Sequence, residues 1–316
     1  MRKITNHKGW LSAILSIIPF FIFMVFFQAI GLGVSSALGQ AGIIEFNFDS
    51  YLEAEDAMRD YLAADTIIQY FDLIGIFLLL WILMRFVDKE PFIKLGFSIK
   101  GKTNDIILGM TLGLLLMAVG YSILILLGEI KFVSFNYDLK SILLLFLLFV
   151  AVSVVEETYV RGYVLKNLLK SFNPVVSLII SSAIFSLLHF FNPKVNYIAL
   201  TELFIAGILL GMSYVYTKNL WFPIALHLSW NFFQVMFGFN VSGMDTYSLI
   251  EFEILENNNI NGGDFGFEGS YLSILFSLIM IYFLWKYSKK LIYLNPNLPL
   301  NTQSMKKEPN RKSTLN

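Results

Sequence analysis

Eight segments of the chain are apolar over a length that suits a membrane-spanning helix. They lie near residues 11–34, 66–87, 105–128, 141–161, 175–191, 197–217, 222–238 and 270–288, and the fifth and seventh are short and interrupted by polar residues. About 20 residues rising 1.5 Å each cross a hydrocarbon core of roughly 30 Å. Hydrophobic residues make up 56% of the 316, more than a soluble domain of this length can bury. The sequence therefore excludes a soluble globule and predicts an all-α fold, a polytopic membrane helix bundle with about eight transmembrane helices.

Positive charge is distributed asymmetrically between the loops, although the net charge is zero. If the N-terminus is inside, nineteen of the 23 Lys and Arg residues lie on the inner side. The four on the outer side are Arg59, Lys131, Lys140 and Lys194. Because an excess of Lys and Arg marks cytoplasmic loops, we expect a multi-pass protein of the cell membrane with both termini cytoplasmic.

Cysteine and glycine usage adds two constraints. The chain has no cysteine, which excludes disulfides, thiolate chemistry and Cys-ligated metals. Gly207 and Gly211 form a GxxxG pattern in the sixth segment, a spacing that lets membrane helices approach closely. We expect this pair to serve ordinary helix packing.

Four acidic residues fall inside the predicted spans, namely Asp72, Glu156, Glu157 and Glu202. A charge in hydrocarbon costs at least about 2.5 to 3.5 kcal/mol, so such residues usually face a bundle interior and mark a site. Glu157 and Arg161 are four residues apart on one helical face and can form an ion pair. Glu156 is rotated by about 100° from Glu157 and has no local partner, which makes it a candidate general base. The alternative is that Arg161 extends to the membrane interface with both glutamates as counter-ions.

Two histidines lie in apolar segments, His189 in FSLLHF and His227 in ALHLSWNF. A single membrane histidine is often only a hydrogen-bond partner between helices. Here both rings occur within 75 residues of the carboxylate pair, and Asn231 follows His227 by one helical turn. Two imidazoles, a carboxylate and an amide can activate water, with or without a metal.

The turn SFNP relates Glu156 to His189 by a simple count. If the fourth helix continues to about Lys170, the centre of the turn lies near residue 172.5, and both residues are 16.5 positions from it. Residues equidistant from the turn of an antiparallel helix pair lie at the same height. The same count for straight spans leaves His227 roughly 20 Å deeper than His189. Tilt, a broken helix or a recessed turn at KNLWFP would be needed to bring them together.

These polar residues form three motifs that resemble those of the CPBP intramembrane proteases, the family of CAAX-processing and bacteriocin-processing enzymes. EETYVRG, FSLLH and HLSWN follow one another within about 95 residues and are similar to the family patterns EExxxR, FxxxH and Hxxx(N/D/B). The resemblance covers roughly residues 141–238. The matching residues are Glu156, Glu157, Arg161, Phe185, His189, His227 and Asn231.

The resemblance implies an eight-span helical bundle with a conical cavity in which a peptide bond is cut near the membrane surface. By analogy with the family, Glu156 activates the attacking water with assistance from His189, while His227 and Asn231 hold the developing oxyanion. Glu157 and Arg161 would support the site. A zinc ion is often assumed for the family, and Glu156, His189 and His227 could hold one with an open water position. Catalysis by Glu156 without a metal is also consistent.

The resemblance also suggests how the chain is organised. We expect an N-terminal three-span region at 1–140, a CAAX-protease-like catalytic core at 141–238, an outer loop and last span at 239–288, and a basic, disordered cytoplasmic tail at 289–316. The expected partners are a membrane-associated or lipid-modified peptide or protein and the lipid bilayer, and no nucleic acid.

Two other functional classes fit parts of the pattern. One is a non-catalytic bacteriocin self-immunity protein that binds a peptide in the same cavity. The other is a transporter in which Asp72, Glu157 and Glu202 relay protons. The sequence shows no inverted repeat or paired broken helices of the sort that transporters display, so the hydrolase is favoured.

Overall fold

The computed structural model describes residues 8–54 and 57–294, with the backbone alone from residue 287 onward. Its α-helices are α1 (Gly9–Leu15), α2 (Ile17–Gln40), α3 (Phe48–Glu53), α4 (Ala57–Asp60), α5 (Leu62–Ile82), α6 (Thr103–Leu127), α7 (Leu139–Glu157), α8 (Lys166–Ser171), α9 (Pro174–Leu188), α10 (Tyr197–Thr217), α11 (Trp221–Met236) and α12 (Tyr271–Leu294). π-Helical turns occupy Leu83–Val87 and Thr158–Leu165, and 3₁₀ turns occupy Phe92–Leu95, Gly263–Phe265 and Phe267–Gly269. Most of the predicted tail, 295–316, lies outside the described residues.

The predicted helical class is confirmed, whereas the count of eight transmembrane helices is not. All eight apolar segments are helical, but within the described residues five helices are long and apolar enough to cross a membrane: Gly9–Gln40, Leu62–Asp88, Thr103–Leu127, Leu139–Ser171 and Tyr197–Thr217. The apolar stretches Pro174–Leu188 and Tyr271–Lys286 are shorter. Helix α11 has 16 residues and is buried on almost every face. A helix covered by other helices does not need the length that lipid requires, which explains why α11 is short.

The segments that follow α6 and α11 contain ordered structure of their own. Strand β1 (Ile130–Phe135) pairs antiparallel with β2 (Ile250–Ile254) and joins the segment after α6 to the long loop before α12. That loop also buries Phe265 and Phe267 completely. The sheet was not predicted, because a strand pair across 120 residues depends on contacts that no local pattern indicates.

Glycines allow the helices around α11 and α10 to pack closely. On α6, a Cβ added at Gly109 would lie 2.8 Å from the backbone nitrogen of Leu226 on α11. A Cβ added at Gly113 would lie 2.7 Å from the backbone nitrogen of Trp230. The backbones of α6 and α11 therefore touch through a second GxxxG pattern, which the sequence reading missed. The predicted pair is also used for packing, since Gly207 of α10 lies directly against Ser182 of α9. Close contact fixes α11, which carries His227, against its neighbours.

We expect Gly113→Ala to destabilise the bundle, because its Cβ would lie 2.5 Å from the Ser229 hydroxyl as well as against backbone. Overpacking of this kind costs about 1–3 kcal/mol. The matched control is Gly33→Ala in the interior of α2, where no atom lies within 4 Å of the added Cβ. Thermal unfolding of the detergent-solubilised variants measures the difference, and equal midpoints would contradict close α6–α11 packing.

Candidate active site

The first motif lies at the junction between an α-helix and a π-helix. Helix α7 ends at Glu157, and the chain continues as a π-helix over Thr158–Leu165 before α8 begins. π-Helical insertions are rare and occur frequently at functional sites. All eight residues of this π-helix are buried, so the segment is an internal part of the bundle. Glu156 and Glu157 sit at its start and have different partners.

Glu157 and Arg161 form a completely buried ion pair. Arg161 Nη1 lies 2.8 Å from Glu157 Oε1, and both side chains are 0% exposed. The guanidinium carbon also lies 4.2 Å from the ring centre of Phe185, a residue of the second motif. The pair expected from the spacing is therefore present. The alternative, in which Arg161 extends to the membrane interface, is wrong because the side chain is enclosed by protein.

Glu157 also holds His227. The same oxygen, Oε1, lies 2.9 Å from His227 Nδ1. A carboxylate only accepts hydrogen bonds, so Nδ1 carries a proton and donates it to Glu157. In the neutral ring, Nε2 is then an acceptor that faces away from Glu157.

His189 is oriented in the same way by the end of its own helix. It follows the last residue of α9, and its Nδ1 lies 2.9 Å from the carbonyl oxygen of Phe185. Carbonyl groups in the last helical turn have no partner within the helix, so this oxygen is available. Since a carbonyl accepts, Nδ1 donates and Nε2 of His189 is also left as an acceptor.

Glu156 lies between these two imidazole nitrogens. Its Oε2 is 3.7 Å from His189 Nε2 and 3.9 Å from His227 Nε2. This buried oxygen has no hydrogen-bond partner among the described residues. Three acceptor atoms therefore converge on one point with no donor between them. Such an arrangement suits a water molecule that donates hydrogen bonds, a proton or a cation.

The height expected from the SFNP count holds for His189, and of the three ways of bringing His227 to the same height the structure shows the recessed turn. The turn after α10 is recessed into the protein: Asn219 and Leu220 are 4% and 0% exposed. Leu220 donates its backbone N–H to Gly96 and packs beside Gly162. Gly162 precedes the SFNP turn by about ten residues, or roughly 10–15 Å along the helix. Helix α11 therefore starts deep in the bundle and reaches the site within two turns.

A cavity of about 460 Å³ opens beside the converging atoms. Its lining includes Glu156, His189, His227 and Asn231. Asn231 is 4% exposed, and its side chain makes no hydrogen bond to another residue in the part of the chain that the structure describes. Its amide can therefore donate to a group bound in the cavity. The structure thus brings the acid, both imidazoles and the amide of the sequence prediction to one place.

The outer loop contributes residues that the sequence reading missed. Glu268 lines the cavity, and its Oε2 accepts hydrogen bonds from the backbone N–H of Ser242 at 2.9 Å and from its hydroxyl at 3.2 Å. Burial raises the pKa of Glu268, although these hydrogen bonds and the two histidines act in the opposite direction. Only the folded loop places Glu268 here, and no motif marks it.

The donor set suits zinc chemically, although the atoms are spaced slightly too widely. Ligand atoms of tetrahedral zinc are about 3.4 Å apart, against 3.7 and 3.9 Å here. Among residues 8–54 and 57–294, no group of three acidic or histidine side chains has a ready metal-binding arrangement. The hydrogen bonds from both Nδ1 atoms are nevertheless of the kind that orients metal-ligating histidines. Glu156, His189 and His227 are the residues that would hold such a metal.

An all-α bundle with apolar spans and an internal polar cavity defines a polytopic membrane protein whose site lies among its helices. Residues 138–233 match the family model described as Rce1-like, type II CAAX prenyl endopeptidase. This confirms, for less than a third of the chain, the resemblance to the CPBP and CAAX proteases, and all six candidate site residues lie in the matched segment. No curated protein and no solved structure was found that matches the chain.

We expect Arg161→Met to lower the free energy of unfolding by about 3–5 kcal/mol, because it leaves the buried Glu157 without its cation. The control is Lys102→Met, which breaks the more exposed pair with Asp105 and should cost about 1 kcal/mol or less. Reversible denaturant titration in mixed micelles gives both values. Similar losses in the free energy of unfolding for the two variants would show that the buried Glu157–Arg161 pair stabilises the fold no more than an exposed pair does.

Proposed function

We propose that this protein is an intramembrane endopeptidase that hydrolyses a peptide bond in a membrane-associated or lipid-modified peptide or protein. The observation that carries the proposal is the convergence of Glu156 Oε2 and two imidazole Nε2 atoms beside a cavity. The family match supports protease activity of the CAAX type in a broad sense. The residue roles below are our proposal for this chain.

The first step is activation of water. A water molecule between Glu156 and His189 donates one hydrogen bond to each. Glu156 takes the proton as general base while the water oxygen attacks the carbonyl carbon of the substrate. His189 accepts the other hydrogen bond from this water and so orients the oxygen lone pair that attacks. The imidazole is itself held in position, because its Nδ1 donates a hydrogen bond to the carbonyl oxygen of Phe185.

The second step is stabilisation and collapse of the tetrahedral intermediate. Asn231 donates a hydrogen bond to the oxyanion, and His227 donates a second when it is protonated. Glu157 stabilises that imidazolium through Nδ1, while Arg161 holds Glu157 in place. Protonated Glu156 then gives its proton to the leaving nitrogen as the C–N bond breaks. The products are a carboxylate and an amine, and the enzyme returns to its starting state.

The site would also accept zinc, which we propose as an optional occupant held by Glu156, His189 and His227. Bound zinc lowers the pKa of its water and polarises a carbonyl group.

The position of the protein follows from its spans. We propose a multi-pass protein of the cell membrane with both termini cytoplasmic, and a catalytic core at 141–238 between the three-span region and the outer loop. The Lys and Arg distribution supports this orientation.

We expect Glu156→Gln and His189→Ala to reduce cleavage of a lipid-anchored peptide in proteoliposomes by about 10²–10⁴-fold each, the usual contribution of a general base. Glu53→Gln, at an exposed position of α3, controls for purification and reconstitution. Thermal unfolding should show that the variants remain folded. Full turnover in both site variants would remove the mechanism. Retained peptide binding and biological protection in Glu156→Gln would instead identify a peptide-binding immunity protein.

We expect about one zinc ion per chain in the purified wild type and less in His189→Ala and His227→Ala, because each loses one of three ligands. Elemental analysis measures this independently of activity. If wild type without bound zinc cleaves at full rate in the presence of chelator, the zinc proposal is wrong and Glu156 acts as a metal-free base.

A further inference from the structure

The cavity is lined by several acidic groups, and His189 and His227 are its basic residues. Five carboxylates line it, those of Asp65, Asp72, Glu156, Glu202 and Glu268. Within the described part of the chain, no lysine or arginine is among its lining residues. Arg161 is close by, but it is paired with Glu157. The cavity therefore contains more carboxyl groups than the water-activating step uses.

Apart from Glu156, Asp72 is the acid of this cavity with the weakest hydrogen bonding. It lies on α5 and is 3% exposed. Gln69 and Gln28 donate to its carboxylate, the former to Oδ2 over a long 3.5 Å, and its Oδ1 has no partner among the described residues. A buried carboxylate with empty acceptor positions is unfavourable. The missing partner can arrive with a ligand.

Three other acids of the cavity each accept a shorter hydrogen bond on one oxygen, although Oδ2 of Asp65 and Oε2 of Glu202 are also without a partner among the described residues. Tyr51 donates its hydroxyl to Asp65 at 2.7 Å, and Ser277 donates to Glu202 at 2.7 Å. Glu268 is held by Ser242. Asp72 also interacts electrostatically with Glu156, so a cation bound at Asp72 would lie near the reacting group.

We propose that the substrate of this protein carries a lysine or arginine close to the scissile bond, and that Asp72 binds this side chain. The proposal rests on the endopeptidase function above and names its substrate class. Lysine and arginine have apolar stems below a charged end. The stem suits lining residues such as Met24 and Val152, and the charged end suits the unpartnered Oδ1 of Asp72.

The experiment uses the full-length protein in liposomes with a series of lipid-anchored fluorogenic peptides. Lysine, norleucine or glutamate is placed in turn at each of the three positions on either side of the cut. At one position we expect the lysine peptide to be cleaved at least about tenfold better, in kcat/KM, than the norleucine peptide, since a close charge pair contributes to recognition. The glutamate peptide should be cleaved least.

Asp72→Asn should reduce the lysine-to-norleucine ratio of kcat/KM to nearly one, because the variant lacks the carboxylate that binds the lysine. The matched control is Asp65→Asn, two turns earlier on α5. It removes the same charge from the same cavity and should keep the preference. Loss of the preference in both variants, or its survival in Asp72→Asn, would overturn the assignment of Asp72.

Binding provides a readout that does not need turnover. Peptide affinity is measured in Glu156→Gln with and without Asp72→Asn. We expect the additional change to weaken binding of the lysine peptide about tenfold or more and to leave the norleucine peptide unaffected. No lysine preference in either assay would overturn the proposal, even if peptides are cleaved. Preferential binding without any cleavage by wild type would instead reject the endopeptidase and retain the cation site.

Discussion

The buried pair of Glu157 and Arg161 holds the three motif segments together. Glu157 stands at the end of α7 and accepts from Arg161 in the π-helix and from His227 in α11. The guanidinium of Arg161 lies over Phe185 of α9 and also approaches the carbonyl oxygen of Gly207 on α10, at 3.5 Å. A buried pair repays its desolvation only with good geometry and further hydrogen bonds. The same contacts that satisfy the pair therefore fix the positions of the helices that form the cavity.

Two neighbouring carboxylates have different roles because of where the helix turns them. Adjacent residues of a helix point about 100° apart, so Glu157 faces Arg161 while Glu156 faces the cavity, where its side chain is 25% exposed. Glu157 accepts hydrogen bonds from Arg161 and His227 on Oε1, and it keeps His227 in one tautomer. Glu156 has an unpaired oxygen beside two acceptor nitrogens, which leaves it able to take a proton from water. Of the two adjacent glutamates, Glu157 is therefore placed to support the site, and Glu156 is placed to react with water.

The sequence predicted those parts of the site that depend on short stretches of chain. The Glu157–Arg161 pair follows from helical spacing, and the meeting of Glu156 and His189 follows from a single turn. The position of His227 did not follow, because it depends on a turn buried against Leu95, Gly96 and Gly162. Glu268 and the β1–β2 sheet depend on the folded outer loop in the same way. The predicted number of spans is not confirmed, because apolar segments within a bundle and segments facing lipid look alike in sequence.

Electrostatics connects the proposed chemistry with the proposed specificity. Glu157 cancels the charge of Arg161, so ionised Glu156 and Asp72 would leave the cavity negative. A negative surrounding stabilises an imidazolium at His227, which the oxyanion step requires. The same surrounding attracts a cationic substrate side chain and disfavours an anionic one. Since Asp72 interacts electrostatically with Glu156, a lysine bound at Asp72 would lie close to the water that Glu156 is proposed to activate. Substrate choice and positioning of the scissile bond would then share one physical origin.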